Sequence, residues 1–417
     1  MVDRLSNYFE DKYILFIYFY LFIMPWNFFK WQMGALTVIL FIWWLIKFKN
    51  SLVEKIKSIF QFKPLFILVL FILYTYITPL WSESWSEGMD YVNSFHKYYL
   101  LLIPILFTSL DSSQAKIGIK IFILSFVSYS IFSILIYLGL FTIEDTNSTS
   151  SNPKGIMGYA IVTQYMAVGT IASFFLGIFS QSLRAKTIFF LFSFICLFAL
   201  VVNNSRTAQL AFFMATIILA IYYYRKSFFR IKTFLLFFLS VTIFISGIVF
   251  VLEKENKLNR YKSAYNEALL VINENRYDGS FGLRLYFNKI ALEILKEDLF
   301  FGMGPVDNTE HLEEKMLNDP YFKNKQVFSA FHSNHMDLLT RYGLVGYLLL
   351  IFSIIYLFYK YKEKDVYYFV GLSFYTVIFF ISFANATFSK KPINYIFISL
   401  FVLLSVIAHN KILENRK

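Results

Sequence analysis

Long apolar runs alternate with short polar connections along almost the whole chain. A helix crosses a bilayer with roughly 20 apolar residues, or fewer where aromatic or basic anchors flank it. That rule predicts spans at 13–29, 32–48, 64–81, 98–110, 117–141 and 157–180, then at 187–203, 207–224, 232–252, 336–359, 366–386 and 393–409. The total is about twelve. The fourth is the weakest, being short and preceded by the polar stretch from Ser82 to Lys97. The first follows a polar, mixed-charge start with no small-residue cleavage site, so it reads as a retained span and not a signal peptide.

Charge placement orients the spans. Counted from a cytoplasmic N-terminus, the even-numbered connections hold Lys49, Lys55, Lys57 and Lys63, then Arg184 and Lys186, then Arg225, Lys226, Arg230 and Lys232, then Lys360, Lys362 and Lys364, and the tail ends with Arg416 and Lys417. The odd-numbered ones carry Glu83, Glu87 and Asp90, or Glu144 and Asp145; the last, with Lys390 and Lys391, breaks the bias. Positive-inside topology therefore puts both termini in the cytoplasm. One odd-numbered connection is long, dividing the chain into 1–252, a loop at 253–335, and 336–417. Within the loop, Leu258, Tyr261, Tyr265, Ala268, Leu269 and Ile272 recur at helical spacing, and so do Leu283, Phe287, Ile290 and Ile294. Two amphipathic helices are expected, with a turn at Tyr277-Asp278-Gly279-Ser280 between them and Gly302-Met303-Gly304-Pro305 ending the second. The fold class is all-α, a polytopic helical membrane protein with one large extra-membranous loop.

Composition agrees. Of 417 residues, 58% are hydrophobic, 21% aromatic and only 16% charged, which excludes a soluble enzyme and a disordered chain. The single cysteine, Cys196, excludes an internal disulfide scaffold. The net charge of +12 is spread over short connections between spans, so topology accounts for it and a nucleic-acid partner is not expected. The apolar runs carry no Asp, Glu, Lys or Arg at their centres, and hydropathy shows no repeated half. Both points count against an ion-coupled transporter or a lipid-linked oligosaccharide flippase.

Candidate chemistry lies on the loop side. Arg206, in Asn203-Asn204-Ser205-Arg206-Thr207, is either a snorkelling anchor or an anion ligand. Arg284 sits early on the second loop helix, beside the apolar stripe, with Asn288 one turn on; it is either an ordinary solvated arginine or, with Asn288, directed at one ligand. His332 and His335, three residues apart, lack the partners of a metal site, leaving a neutral imidazole that accepts a hydroxyl proton. Gly302-x-Gly304-Pro305 has no preceding strand and reads as a turn, not a nucleotide loop. Lys390 and Lys391 are either an ordinary loop pair or ligands for an acidic lipid or sugar.

In order and spacing these pieces resemble the O-antigen ligase and O-antigen polymerase superfamily of bacterial envelope assembly. The resemblance rests on Asn204-Ser205-Arg206-Thr207-Ala208, on Arg284 and its helix followed by Phe301-Gly302-Met303-Gly304-Pro305, and on His332 standing eleven residues before Gly343-Leu344-Val345-Gly346. Three positions depart from the family pattern: Ser333 where Asn is usual, His335 where an aromatic is common, and Arg341, read as a helix-surface position, where Glu is common. The first two leave His335 as a second candidate for the role of His332.

The resemblance implies a GT-C-like glycosyltransferase of the inner membrane with its site on the periplasmic face. The implied donor is an undecaprenyl-diphosphate-linked glycan and the implied acceptor a sugar hydroxyl of lipid A-core, or a second lipid-linked unit in a polymerase. A protein O-oligosaccharyltransferase is a further possibility, though those enzymes tend to carry an added C-terminal domain. Arg206 and Arg284 would bind the diphosphate as bidentate forks, and His332 would be the general base. Asn288, His335, Lys390 and Lys391 would contact substrate. An inverting single displacement is expected, with no metal and no cofactor, in spans that hold the polyprenyl chain and surrounding membrane lipid.

Overall fold

In the computed structural model, residues 12–29, 31–225, 253, 259–323, 325–361 and 363–414 are described. They form helices and connections with no strand. The helices are α1 (Lys12–Ile23), α2 (Gln32–Phe48), α3 (Leu52–Gln61), α4 (Lys63–Ile77), α5 (Trp85–Ser109), α6 (Ser112–Tyr137), α7 (Tyr159–Phe179), α8 (Leu183–Val202) and α9 (Arg206–Tyr224). The loop contributes α10 (Asn259–Glu274), α11 (Gly279–Glu297) and α12 (Asp307–Asn318), and the chain closes with α13 (Asn334–Lys360), α14 (Val366–Ile381) and α15 (Lys391–Glu414). Among the described residues, seven helices are long and apolar enough to cross a membrane, or up to eight if α2 and α3, bent by 113° at their junction, count as one span. The protein is a multi-pass helical membrane protein.

Every predicted span that falls on described residues is helical, but not every one is a full crossing by length and composition. The runs at 13–29 and 366–386 shrink to the shorter helices α1 and α14 because each ends in a turn, at Pro25 and Asn27 (φ 34°) in the first and from Ser382 to Asn385 in the second. The weak fourth run belongs to a much longer helix, α5, which begins at Trp85 inside the polar stretch with Ser84 capping it. The ninth run, 232–252, lies outside the described residues, as do Leu258, Lys226, Arg230, Lys232, Lys362, Arg416 and Lys417.

Packing follows side-chain size. Helices α7 and α15 are buried along most of their length, whereas α8 and α9 turn much of their surface outward. Small residues let α7 and α8 meet closely: a Cβ on Gly169 would stand 2.8 Å from the Cys196 sulfur. Contacts sort the connections into two ends, as the charge pattern requires. At one end Lys411 pairs with Asp365 and Glu363, and Tyr222 meets Tyr368. At the other, Ser82 donates to Asp307, Arg206 reaches Ser280, and Asn334 meets Ser382.

The loop is more elaborate than expected. It holds a third helix, α12, which the apolar spacing did not signal because most of its sequence, Asp307-Asn308-Thr309-Glu310-His311-Leu312-Glu313-Glu314, is polar. Leu283, Phe287, Ile290 and Ile294 pack inward around Met316 and Phe331, while Tyr265 and Ile272 of α10 remain 67% and 76% exposed. The second predicted helix stops at Glu297, not at the glycine turn.

That turn does something else. Segment 299–304 lies against a break in α13, where Gly343 holds φ 62° and ψ −172°. Across the break, the amides of Met303 and Gly304 donate to the carbonyls of Thr340 and Arg341 at 2.9 and 3.2 Å. In return, the amides of Leu344 and Val345 donate to Leu299 and Phe300 at 2.8 and 3.1 Å. Carbonyls and amides freed by the break are thus satisfied by the turn. The expectation of a mere turn is corrected: this is a backbone clasp between the loop and a membrane helix. Tyr74 donates to the Tyr342 carbonyl and Trp81 to the Gly302 carbonyl, so α4 and the turn after it secure the same point.

Arg341 is also corrected. It is not a surface residue but only 5% exposed, and its guanidinium holds Asp337 through three contacts of 3.0–3.1 Å. The Tyr91 ring lies 4.2 Å beneath it. A charge that deep is tolerated because its partner is one turn away on the same helix.

Candidate anion-binding and proton-accepting site

The loop-side connections enclose a cavity of about 400 Å³. Its lining comes from the first turns of α7 (Tyr159, Ala160 and Gln164) and α11 (Ser280, Leu283, Arg284 and Phe287), from Phe328, Ala330 and His332 before α13, and from the 385–390 segment before α15. Three residues singled out from the sequence, Arg284, His332 and Lys390, therefore face one space although 48 and 58 residues separate them along the chain. None of the lining residues is acidic. Arg206 joins at the rim, donating from Nη2 to the Ser280 hydroxyl at 3.0 Å.

Arg284 is held by its position one turn into α11, whose start is fixed by Glu267 accepting from the Phe281 amide at 2.7 Å. Its Nη1 reaches the Ser280 carbonyl only at 3.4 Å, and its Nε is buried with no partner among the described residues. Burial lowers its pKa from the ordinary value; Tyr159 opposes the shift and the neighbouring Arg206 charge adds to it. A guanidinium in that state gains from an incoming anion.

His332 takes φ 50°, a left-handed conformation uncommon outside glycine. Its ring stacks on Phe287 at 5.7 Å and meets Phe328 edge-on at 6.1 Å. The residues after it anchor it. Ser333 caps α13 and donates to the Ser382 carbonyl, while the Asn334 amide donates to Ser382 at 2.8 Å and its side-chain oxygen accepts from the Phe388 amide at 2.9 Å. Asn394 then accepts from Tyr99 and donates to Phe388. Asn334 thus ties the His332 segment to the one bearing Lys390. Burial lowers the His332 pKa, and the charges of Arg284 and Lys390 lower it further. These effects favour the neutral imidazole, the form that accepts a proton.

The other sequence candidates lie elsewhere. His335 is beyond the Ser333 cap, with Nε2 at the Phe379 carbonyl (2.9 Å) and Nδ1 at the Tyr347 hydroxyl (3.0 Å). It borders a second cavity, about 470 Å³ and almost wholly apolar, between α13, α14 and α15. Lys391 points the other way, over the Phe95 ring at 5.8 Å. Asn288 is on the same helix as Arg284 but not in the cavity lining; its Oδ1 is buried without a partner among the described residues. Among the described residues, no group of three or more His, Cys, Asp or Glu side chains is placed to hold a metal.

Sequence reasoning missed Gln164 and Asn334. Gln164, 2% exposed, donates from Nε2 to the Ala160 carbonyl at 2.7 Å, and its Oε1 has no partner among the described residues. Its signal was faint but present, a lone carboxamide in an otherwise apolar run. Asn334 stood beside Ser333 in the notable His332 segment and drew no attention.

A multi-pass helical membrane protein with a cavity lined by Arg284, His332 and Lys390 at one surface is the class these features define. Residues 191–351 match the O-antigen ligase family model, a stretch running from within α8 through the break in α13 and taking in Arg206, Arg284, His332 and Gly343. Over that stretch, less than half of its length, the chain is similar to the O-antigen ligase family. No curated protein matches it.

Proposed function

We propose that the chain transfers a glycan from an undecaprenyl-diphosphate carrier to a sugar hydroxyl of lipid A-core, acting at the periplasmic face of the bacterial inner membrane with both termini in the cytoplasm. The observation that carries this reading is the convergence of Arg284, His332 and Lys390 on one cavity, with Arg206 at its rim. As the glycosidic C–O bond breaks, the diphosphate leaving group gains negative charge. Arg284, Arg206 and Lys390 stabilise that charge in a site shielded from water. His332, neutral and hydrogen-bonded to none of the described residues, takes the proton of the attacking hydroxyl. A single displacement of this kind inverts the anomeric centre. Cationic side chains fill the place a divalent metal takes in other diphosphate sites, so the reaction needs no metal.

The apolar cavity bordered by His335 suits the polyprenyl chain, because it is lined by Ile351, Ile354, Phe358, Leu372 and Phe379. His335 and Lys391 then have no part in the chemistry, and Asn288 supports the Arg284 helix. A polymerase would use the same donor site with a second lipid-linked unit as acceptor. The deciding experiment gives purified protein the lipid-linked glycan with lipid A-core and with a second donor unit, each with and without a chelator. Product on lipid A-core, unchanged by chelator, is expected. Glycan lengthening on the carrier would make it a polymerase, and loss of activity with chelator would overturn the metal-free scheme.

A further inference from the structure

Helix α3 does not continue the membrane crossing of α2. The chain turns by 113° at Lys49–Ser51, and ten residues, about 15 Å at 1.5 Å each, are too few to span. The helix is pinned along one flank only. Ile59 is buried there, and the Lys55 ammonium donates to the Thr108 carbonyl at the end of α5 while resting 3.9 Å over the Phe48 ring. Next to that flank runs an apolar stripe of Val53, Ile56 and Phe60, spaced by three and four residues and 65%, 43% and 47% exposed. Glu54 and Gln61 lie on the far side of the helix. Between Lys47 and Lys63 there are five lysines and a single acid, Glu54.

We infer that α3 lies flat in the membrane interface at the lysine-rich end of the protein and docks on anionic lipid headgroups. The apolar stripe enters the acyl boundary, and Lys47, Lys49, Lys57 and Lys63, all exposed, meet the phosphates. Charge complementarity selects this occupant: a neutral surface satisfies the stripe but offers the exposed lysines no opposite charge. The inference is independent of the transferase reading.

The test uses the full chain in bilayers of phosphatidylcholine with and without phosphatidylglycerol, with nitroxide labels introduced singly by Val53→Cys, Glu54→Cys, Ile56→Cys, Phe60→Cys and Gln61→Cys. The native Cys196 is buried, and the unsubstituted protein gives its background. Collisions with dissolved oxygen should peak at 53, 56 and 60, and collisions with a water-soluble nickel chelate at 54 and 61. A stripe shielded from both reagents means that protein covers it and overturns the inference. Spin-labelled phosphatidylglycerol should be enriched over phosphatidylcholine at the helix, by roughly fivefold for each lysine engaged. The double variant Lys57→Gln, Lys63→Gln should lower that enrichment. Equal occupancy by the two lipids, or enrichment unchanged in the double variant, also overturns it.

Discussion

Replacing Gly343 with alanine tests whether the loop is clasped to α13 as described. At φ 62° and ψ −172° the residue occupies a region that is essentially glycine-only, which costs about 1–3 kcal/mol for any other side chain. The added Cβ would also stand 2.2 Å from the Phe300 carbonyl oxygen and 2.5 Å from the Phe301 nitrogen, backbone atoms that cannot swing aside. Relief requires the 299–304 turn to withdraw, which breaks the amide bonds of Met303, Gly304, Leu344 and Val345. At about 0.5 kcal/mol each, the low end for a net hydrogen bond, these add about 2 kcal/mol. The expected destabilisation is therefore at least about 3 kcal/mol. Reversible unfolding in mixed micelles gives the magnitude, and hydrogen exchange gives the location, since those four amides should lose protection first. Gly139→Ala is the control: its φ is 78°, but its nearest new contact is the Ser150 hydroxyl at 3.6 Å, so it should cost less and leave the four amides protected. Unchanged protection in Gly343→Ala would refute the clasp.

Other consequences follow from the same geometry. Asp337→Asn leaves Arg341 charged and buried without its counter-ion, and should cost about 3–5 kcal/mol in the same unfolding measurement; the double variant Asp337→Leu, Arg341→Met should recover much of that loss. The pH–rate profile should have an acid limb below the ordinary histidine range, because the proposed mechanism requires neutral His332 and its folded pKa is lowered. Lys390→Gln removes one of the charges that lowers it, so the limb should move to higher pH; a limb that stays put would mean another group titrates. Asn334→Ala removes the acceptor for the Phe388 amide, costing about 1–3 kcal/mol locally. It should raise KM for the donor more than it lowers kcat, by loosening the Lys390 segment.

Membrane class and helix positions were legible in the sequence because apolar runs of roughly 20 residues have few other readings. Arg284 and His332 were legible because charged and titratable groups stand out in an apolar chain. What joins them was not. The clasp is made by backbone atoms of Leu299–Gly304 and Thr340–Val345, and side-chain patterns carry no trace of such bonds beyond the glycines themselves. Arg341 looked solvated because no single position reveals that Asp337, one turn earlier, buries with it. Lys390 and Lys391 are adjacent and chemically alike, yet only the first lines the cavity, because Lys391 begins α15 and turns toward Phe95. Residue type alone cannot separate His332 from His335 either. The Ser333 cap between them does, leaving one in the loop and committing the other to a helix.

The central claim is that His332 and the cations around it carry one transfer reaction. It is tested most directly by the single-turnover rate of glycan transfer to lipid A-core, with saturating donor, for wild type, His332→Ala, His335→Ala and Arg284→Lys in equally folded preparations. The account predicts that His332→Ala lowers the rate by about 10²–10⁴, the usual contribution of a general base. Arg284→Lys should also slow it, because an ammonium lacks the planar fork, while His335→Ala retains transfer. Full activity without His332, or loss in His335→Ala alone, would contradict the assignment of the base.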